Sequence, residues 1–164
     1  LWAYNIGDTV KFLSKEPYRM VVTGRTKHYI SAFGEHVIAE EVEDAMLKAL
    51  EKAKLTIREF TVAPMVAQDK GKSFHEWFVE FEKEPQDLGA FAAAVDENLR
   101  KKNVYYDDLI SGKILQQLRI TSIRKNGFAD YMKSIGKLGG QNKVPRLSNN
   151  RTIAEELKRF AAKG

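Results

Sequence analysis

The stretch Gly136-Lys137-Leu138-Gly139-Gly140-Gln141-Asn142-Lys143-Val144-Pro145-Arg146 packs three glycines, two lysines and an arginine into eleven residues. Glycines beside lysines make a backbone that can carry an ammonium group to a phosphate or carboxylate and withdraw it. The spacing is not Gly-x-x-x-x-Gly-Lys-Ser/Thr, so this is not a P-loop, and a plain basic surface loop has the same composition. A second candidate is Tyr4-Asn5-Ile6-Gly7-Asp8, followed sixteen residues later by Gly24-Arg25-Thr26-Lys27. An ionised Asp8 only accepts hydrogen bonds, which suits the vicinal hydroxyls of a ribose; it can equally cap a turn. Arg25 brings a guanidinium to the same turn region.

Other chemistries find little support. His28, His36 and His75 share no ligand spacing such as His-x-x-x-His, so no metal site is expected. There is no Gly-x-Ser-x-Gly elbow for a serine hydrolase. Glu80 and Glu82 share one face of a strand and are expected in solvent. His75 alternates with Trp77, Val79 and Phe81, the pattern of a packed, hydrogen-bonded histidine.

These residues need elements to hold them. Thr9–Leu13 and Tyr18–Val22 alternate as strands around a Glu16-Pro17 turn, and His28-Tyr29-Ile30 reads as a short strand. Val42, Ala45, Met46, Ala49, Leu50 and Ala53 form the apolar stripe of a helix, acidic at its start and basic at its end. Residues 56–67 and 73–82 read as a strand pair joined at 68–72, with Pro64 at an edge or bulge. Asp87 caps a second helix with the stripe Leu88, Phe91, Ala92, Val95 and Leu99. An irregular piece over 105–110 leads to a strand at 118–123. A short helix at 128–135, a loop at 136–150 and a closing helix over 151–162 complete the chain. The fold class is α+β, a small mixed or antiparallel sheet flanked by helices and preceded by a short β segment.

The chain has 164 residues, 43% of them hydrophobic, enough to bury about two-thirds of the surface it exposes when unfolded. No apolar run approaches the ~20 residues of a membrane span, so no membrane partner is expected. Cysteine is absent, which excludes disulfides and thiolate chemistry and favours a cytoplasmic location. The chain starts Leu-Trp-Ala-Tyr without Met and is expected to be a piece of a longer polypeptide. The net charge of +5 is uneven: residues 1–96 carry 12 Lys and Arg against 16 Asp and Glu, and residues 97–164 carry 15 against 6. A basic half of this kind suits a nucleic-acid surface, an anionic membrane or a phosphate-bearing ligand. The basic residues are spread over three elements and no nucleic-acid motif occurs, so a nucleic-acid-binding domain ranks second. A non-catalytic interaction module ranks third, and oligomeric state is left open.

Several motifs in order carry a resemblance: Tyr4-Asn5-Ile6-Gly7-Asp8-Thr9-Val10, Pro17-Tyr18-Arg19, Gly24-Arg25-Thr26-Lys27-His28-Tyr29-Ile30 and Ala32-Phe33-Gly34-Glu35. His75-Glu76-Trp77 with Glu80-Phe81, Asn103 with Tyr106-Asp107, and Gly139 to Leu147 continue it. Together they resemble the C-terminal part of an adenylate-forming enzyme, and more closely the auxin-responsive acyl acid amido synthetase family. The resemblance implies activation of an acyl acid by ATP and magnesium, then attack by an amino acid on the acyl adenylate. It implies that residues 1–25 trail from a larger N-terminal domain and that 26–164 form a mobile lid, with the hinge at Thr26 and Lys27. Asp8 would bind the ribose, with Tyr4 and Arg25 near the nucleotide. Lys143 would be the catalytic lysine, with Lys137 as the alternative, and Pro145 and Arg146 would anchor the loop behind it. The phosphate-binding loop and acid pocket are absent, so the isolated fragment is expected to be inactive.

Overall fold

The computed structural model describes residues 8–25, 29–67, 72–137, 139 and 142–162, with residues 8, 9 and 23–25 in backbone only. Strands β1 (Asp8–Lys15) and β2 (Tyr18–Arg25) form an antiparallel pair. Short strands β3 (Tyr29–Ile30) and β4 (Val37–Ile38) pair around a loop and lead into helix α1 (Ala39–Ala53). The main sheet has the order β5 (Ile57–Met65), β6 (Ser73–Phe81), β7 (Leu115–Ser122), with β5 antiparallel and β7 parallel to β6. The crossover from β6 to β7 consists of α2 (Leu88–Lys102) and α3 (Val104–Ser111). Helices α4 (Gly127–Ser134) and α5 (Thr152–Leu157) follow, the latter ending in a 3₁₀ turn at Lys158–Phe160. This is the expected α+β architecture. Among the described residues no helix is long and apolar enough to cross a membrane.

The helix stripes read from the sequence are the buried ones: Val42, Ala45, Met46, Ala49 and Leu50 on α1, and Phe91, Ala92, Val95 and Leu99 on α2. Asp87 caps α2 by accepting from the Ala90 amide at 2.8 Å. Three expectations fail. The piece after Lys102 is a helix, because Asn103 accepts from the Tyr106 amide at 2.8 Å and so caps α3. The closing helix is short, because Phe160 and Ala162 spend backbone groups on the end of β7 and the residues just after it: Arg124 N–H donates to Phe160 and Ala162 N–H to Ser122, each at 2.9 Å. And Glu80, expected in solvent, is only 2% exposed, although Glu82 is exposed.

Glu80 is buried because β6 is covered on both faces. Trp77, Val79 and Phe81 point into a core with α1 and α2, while Phe78 points into a second one with Phe128, Tyr131 and Leu157. Such a strand shows no polar face to water. Its polar side chains are instead paired. Glu76 accepts from Thr121 at 2.9 Å and from Arg151 at 2.5 Å. Glu80 accepts from the amides of Asn126 (2.7 Å) and Phe128 (3.2 Å), fixing the start of α4. Gly127, beside them, has no room for a side chain: a Cβ there would lie 2.4 Å from Ile123.

His75, fully buried, pairs through Nε2 with the equally buried Glu35 at 2.9 Å. Glu35 also accepts from the Phe33 amide at 2.8 Å, and its carbonyl accepts from Asn103 Nδ2. The loop between β3 and β4 is thereby tied to β6 and α3. Burial pushes the Glu35 carboxyl up, but hydrogen bonds from His75, its own backbone amide and Phe33 outweigh it and hold the group below the usual carboxylate range. With the folded value below the unfolded one, this stabilisation is complete above pH 4.5 and is lost as pH falls through the folded value. Glu35→Gln is therefore expected to cost about 1–3 kcal/mol at pH 7. In urea melts the gap between wild type and variant should narrow steadily below pH 4.5; a gap independent of pH would refute the pairing.

Candidate functional site

The loop carrying the two candidate lysines is held at both ends. At its start, α4 closes with Gly136 at φ 67° and with the Lys137 amide donating to Met132 at 2.9 Å. Gly139, at φ 91°, requires the left-handed backbone that glycine supplies. At its end, residues 145–148 lie along the outer edge of β5. Val62 N–H donates to the Arg146 carbonyl and Ser148 N–H to the Val62 carbonyl, both at 3.0 Å, and Thr61 Oγ1 donates to the Pro145 carbonyl at 2.7 Å. Val144 fills the second core.

Arg146 locks this end. Its Nε donates to Glu43 at 3.0 Å, and its Nη1 to Glu59 at 2.5 Å and to the Phe60 carbonyl at 2.6 Å. The guanidinium lies 4.1 Å above the Phe60 ring, which stacks on buried Trp77 at 5.6 Å. Nothing in the sequence singles out Glu43, Glu59 and Phe60 as its partners, since they come from two other elements.

Between these anchors lies a hollow of about 270 Å³ lined by Arg58, Glu80, Asn126, Lys137 and Lys143, among others. The structure thus brings Lys137 and Lys143 to one site, over a floor the sequence did not indicate. The nearby carboxylates are already engaged, Glu59 by Arg146 and Glu80 by the start of α4. Among the described residues neither lysine has an acidic partner. Arg58 Nε is itself paired with Glu80 at 3.9 Å, so the charge this hollow offers an anionic ligand comes from the two exposed ammonium groups.

The other predicted residues lie elsewhere. The β1–β2 register places the backbone of Asp8 directly opposite that of Arg25, at the open end of the hairpin. Tyr4 and the hinge residues Thr26 and Lys27 lie outside the described residues. The hairpin itself leaves Phe12, Leu13, Tyr18, Met20 and Val22 each more than half exposed, an apolar display that soluble proteins usually cover.

Residues 40–152 match the family model described as the GH3 family C-terminal domain. Two solved structures are similar over 96% of this chain: GH3.15 acyl acid amido synthetase, with a TM-score of 0.74 at 18% identity, and AtGH3.15 acyl acid amido synthetase in complex with 2,4-DB, with 0.73 at 16%. The chain spans 31% and 30% of those structures, about a third of their length. No curated protein matches the sequence significantly.

Replacing the clamp should loosen the lysine loop first. Arg146→Met keeps the stem but removes two half-exposed ion pairs and the stacked charge, and is expected to cost about 1–2 kcal/mol. Amide exchange at Val62 and Ser148, whose N–H groups hold the segment, should accelerate more than exchange in α1 and α2. Uniform acceleration would mean that Arg146 stabilises the domain without anchoring this loop.

Proposed function

The chain belongs to the GH3 family, and from that premise we propose that it is the C-terminal lid of an ATP-dependent acyl acid amido synthetase. In this reading residues 1–25 trail from the larger N-terminal domain and 26–164 form the lid, hinged at Thr26 and Lys27. The exposed apolar side chains of the hairpin support a larger body against which β1 and β2 pack. The placement of Asp8 opposite Arg25 supports a shared contact with one nucleotide, Asp8 to the ribose hydroxyls and Arg25, with Tyr4, beside it.

The observation that carries the proposal is the pair of lysines on a loop anchored at both ends. In the first half-reaction an acyl carboxylate attacks the α-phosphorus of ATP, supplied as its magnesium complex, and pyrophosphate leaves. Negative charge crowds the attacking carboxylate and the phosphate together. The Lys143 ammonium, delivered by lid closure, meets both. In the second half-reaction the amine of an amino acid attacks the acyl adenylate carbonyl and AMP leaves. No new charge then develops on an attacking carboxylate, so Lys143 matters less there. The basic half of the chain adds a positive potential that favours closure over phosphates.

In the enzyme that includes the preceding domain, Lys143→Ala is expected to lower ATP–pyrophosphate exchange by about 10²–10³. ATP binding and thermal stability should change little, and amide formation from a supplied acyl adenylate should fall far less. Lys137→Ala is the control; if it abolishes exchange while Lys143→Ala does not, the assignment of the catalytic lysine is wrong. The isolated chain should show no exchange at all.

The hinge has its own signature. Lys27→Pro restricts φ at that position and should impair the two half-reactions unequally in single-turnover assays. Equal loss in both, with folding intact, would argue against an alternating lid.

A further inference from the structure

A second hollow, of about 820 Å³, is lined by the start of α2, the end of α3 and β7, and shares no residue with the hollow beneath the lysine loop. Its two ends differ in chemistry. Leu88 and Ala92 from α2 and Ile120 from β7 make one end apolar. The other end lies where β6 and β7 begin, since Ser73 stands opposite Leu115 in the ladder. Lys72 immediately precedes β6, and Lys113 stands two residues before β7. Arg119 leans to the same end: its guanidinium lies 4.2 Å from the centre of the Phe74 ring, and Phe74 is opposite Gln116. Ile110 and the 58%-exposed Ile114 line the wall beside these cations.

No acidic side chain lines this hollow. Among the described residues none of Lys72, Lys113 and Arg119 has an acidic partner. Lys113 also sits at φ 60°, where the chain closes α3 through Lys113 N–H to Ile110 O and Ile114 N–H to Leu109 O, each 3.0 Å. Helices that end this way usually place glycine at that position. A lysine there adds charge to the hollow at the expense of backbone comfort. Recognition here belongs to side chains: the Leu118 amide is already bonded to the buried Asp96 carboxylate at 3.1 Å, while the side-chain amides of Gln116 and Gln117 add neutral donors.

We propose that this hollow binds a soluble amphipathic phosphate, a phosphate monoester carrying one alkyl or acyl tail. The head sits among Lys72, Lys113 and Arg119, and the tail runs along β7 toward Leu88, Ala92 and Ile120. Three cations at one end match the charge and the oxygens of a phosphate dianion better than those of a single carboxylate. The size falls in the range of small-molecule sites, about 300–1,000 Å³. An anionic membrane surface fits less well, because the exposed carboxylates of Asp87 and Asp108 stand within two residues of the lining residues Leu88 and Ile110. The site is separate from the lysine loop and does not depend on the catalytic reading.

The test titrates the 164-residue chain with decyl phosphate below its micelle-forming concentration, followed by calorimetry and by amide chemical shifts. Binding at one site is expected, with the largest shifts at Gly89, Ile114, Gln117 and Ile120. Affinity should rise from hexyl through octyl to decyl phosphate by about two- to fourfold per methylene. Inorganic phosphate and decyltrimethylammonium should each bind more weakly than decyl phosphate by about tenfold or more. Arg119→Gln and Lys113→Gly should each weaken binding about three- to tenfold. Lys113→Gly relieves the backbone at φ 60° and should not lower Tm, a combination that structural damage cannot produce. The proposal is overturned by absence of binding at millimolar octyl phosphate, by shifts confined to hairpin residues such as Phe12 and Met20, or by equal affinity for decyltrimethylammonium. Affinity unchanged in both variants would also overturn it. Equal affinity for decanoate would overturn the phosphate head, and tighter attachment to phosphatidylglycerol vesicles than to decyl phosphate would overturn the soluble ligand.

Discussion

A strand covered on both faces has no water for its polar side chains, and β6 carries three of them. His75, Glu76 and Glu80 are each less than 10% exposed, and each must find its partner inside the protein. The partners come from three separate parts of the chain. His75 takes Glu35 from the loop between β3 and β4, Glu76 takes Arg151 at the start of α5, and Glu80 takes the first amides of α4. The requirement that these groups be satisfied thus ties the beginning, middle and end of the domain to one strand.

The candidate site inherits its geometry from those ties. Glu80 and the tight approach at Gly127 set where α4 begins, and the end of α4 sets Lys137. On the other side, the segment 145–148 docks on β5 and Arg146 reaches across to Glu43, Glu59 and Phe60. Lys143 lies between two fixed points, in a segment that includes Gly139, and among the described residues it has no acidic partner. The three-layer packing beneath Arg146 (guanidinium, Phe60, Trp77) connects that anchor to the same strand β6.

The sheet edges are treated differently. The outer edge of β5 is occupied by residues 145–148, and the far end of β7 by residues 160–162. The amide of Leu118 is taken by Asp96, a buried carboxylate that also accepts from Tyr106 at 2.6 Å. Burial and that carboxylate push the Tyr106 phenol well above its ordinary range, so it stays a donor. The β1–β2 hairpin, by contrast, leaves Phe12, Leu13, Tyr18, Met20 and Val22 exposed, an apolar ribbon of the kind that is a liability in isolation.

Local chemistry was legible in the residues themselves. The stripes of α1 and α2, the Asp87 cap, the strand pairs and the α+β class follow from spacing and composition, because helix and strand periods act over a few residues. The lysine loop was legible for the same reason, as glycines beside lysines in one short segment, and the ordered motifs pointed to the family. The cap at Asn103 was also local, yet α3 was hidden by the irregular pattern of its apolar residues. Three things were decided by tertiary structure alone: the burial of Glu80, the shortness of α5 and the partners of Arg146. The first two depend on the elements that cover β6 and the edge of β7, and the third on residues 145–148 docking along β5 beside α1. An alternating strand reads the same whether one face or both are covered, so the fate of its carboxylates is set by elements 40 or more residues away, such as Asn126 for Glu80 and Arg151 for Glu76.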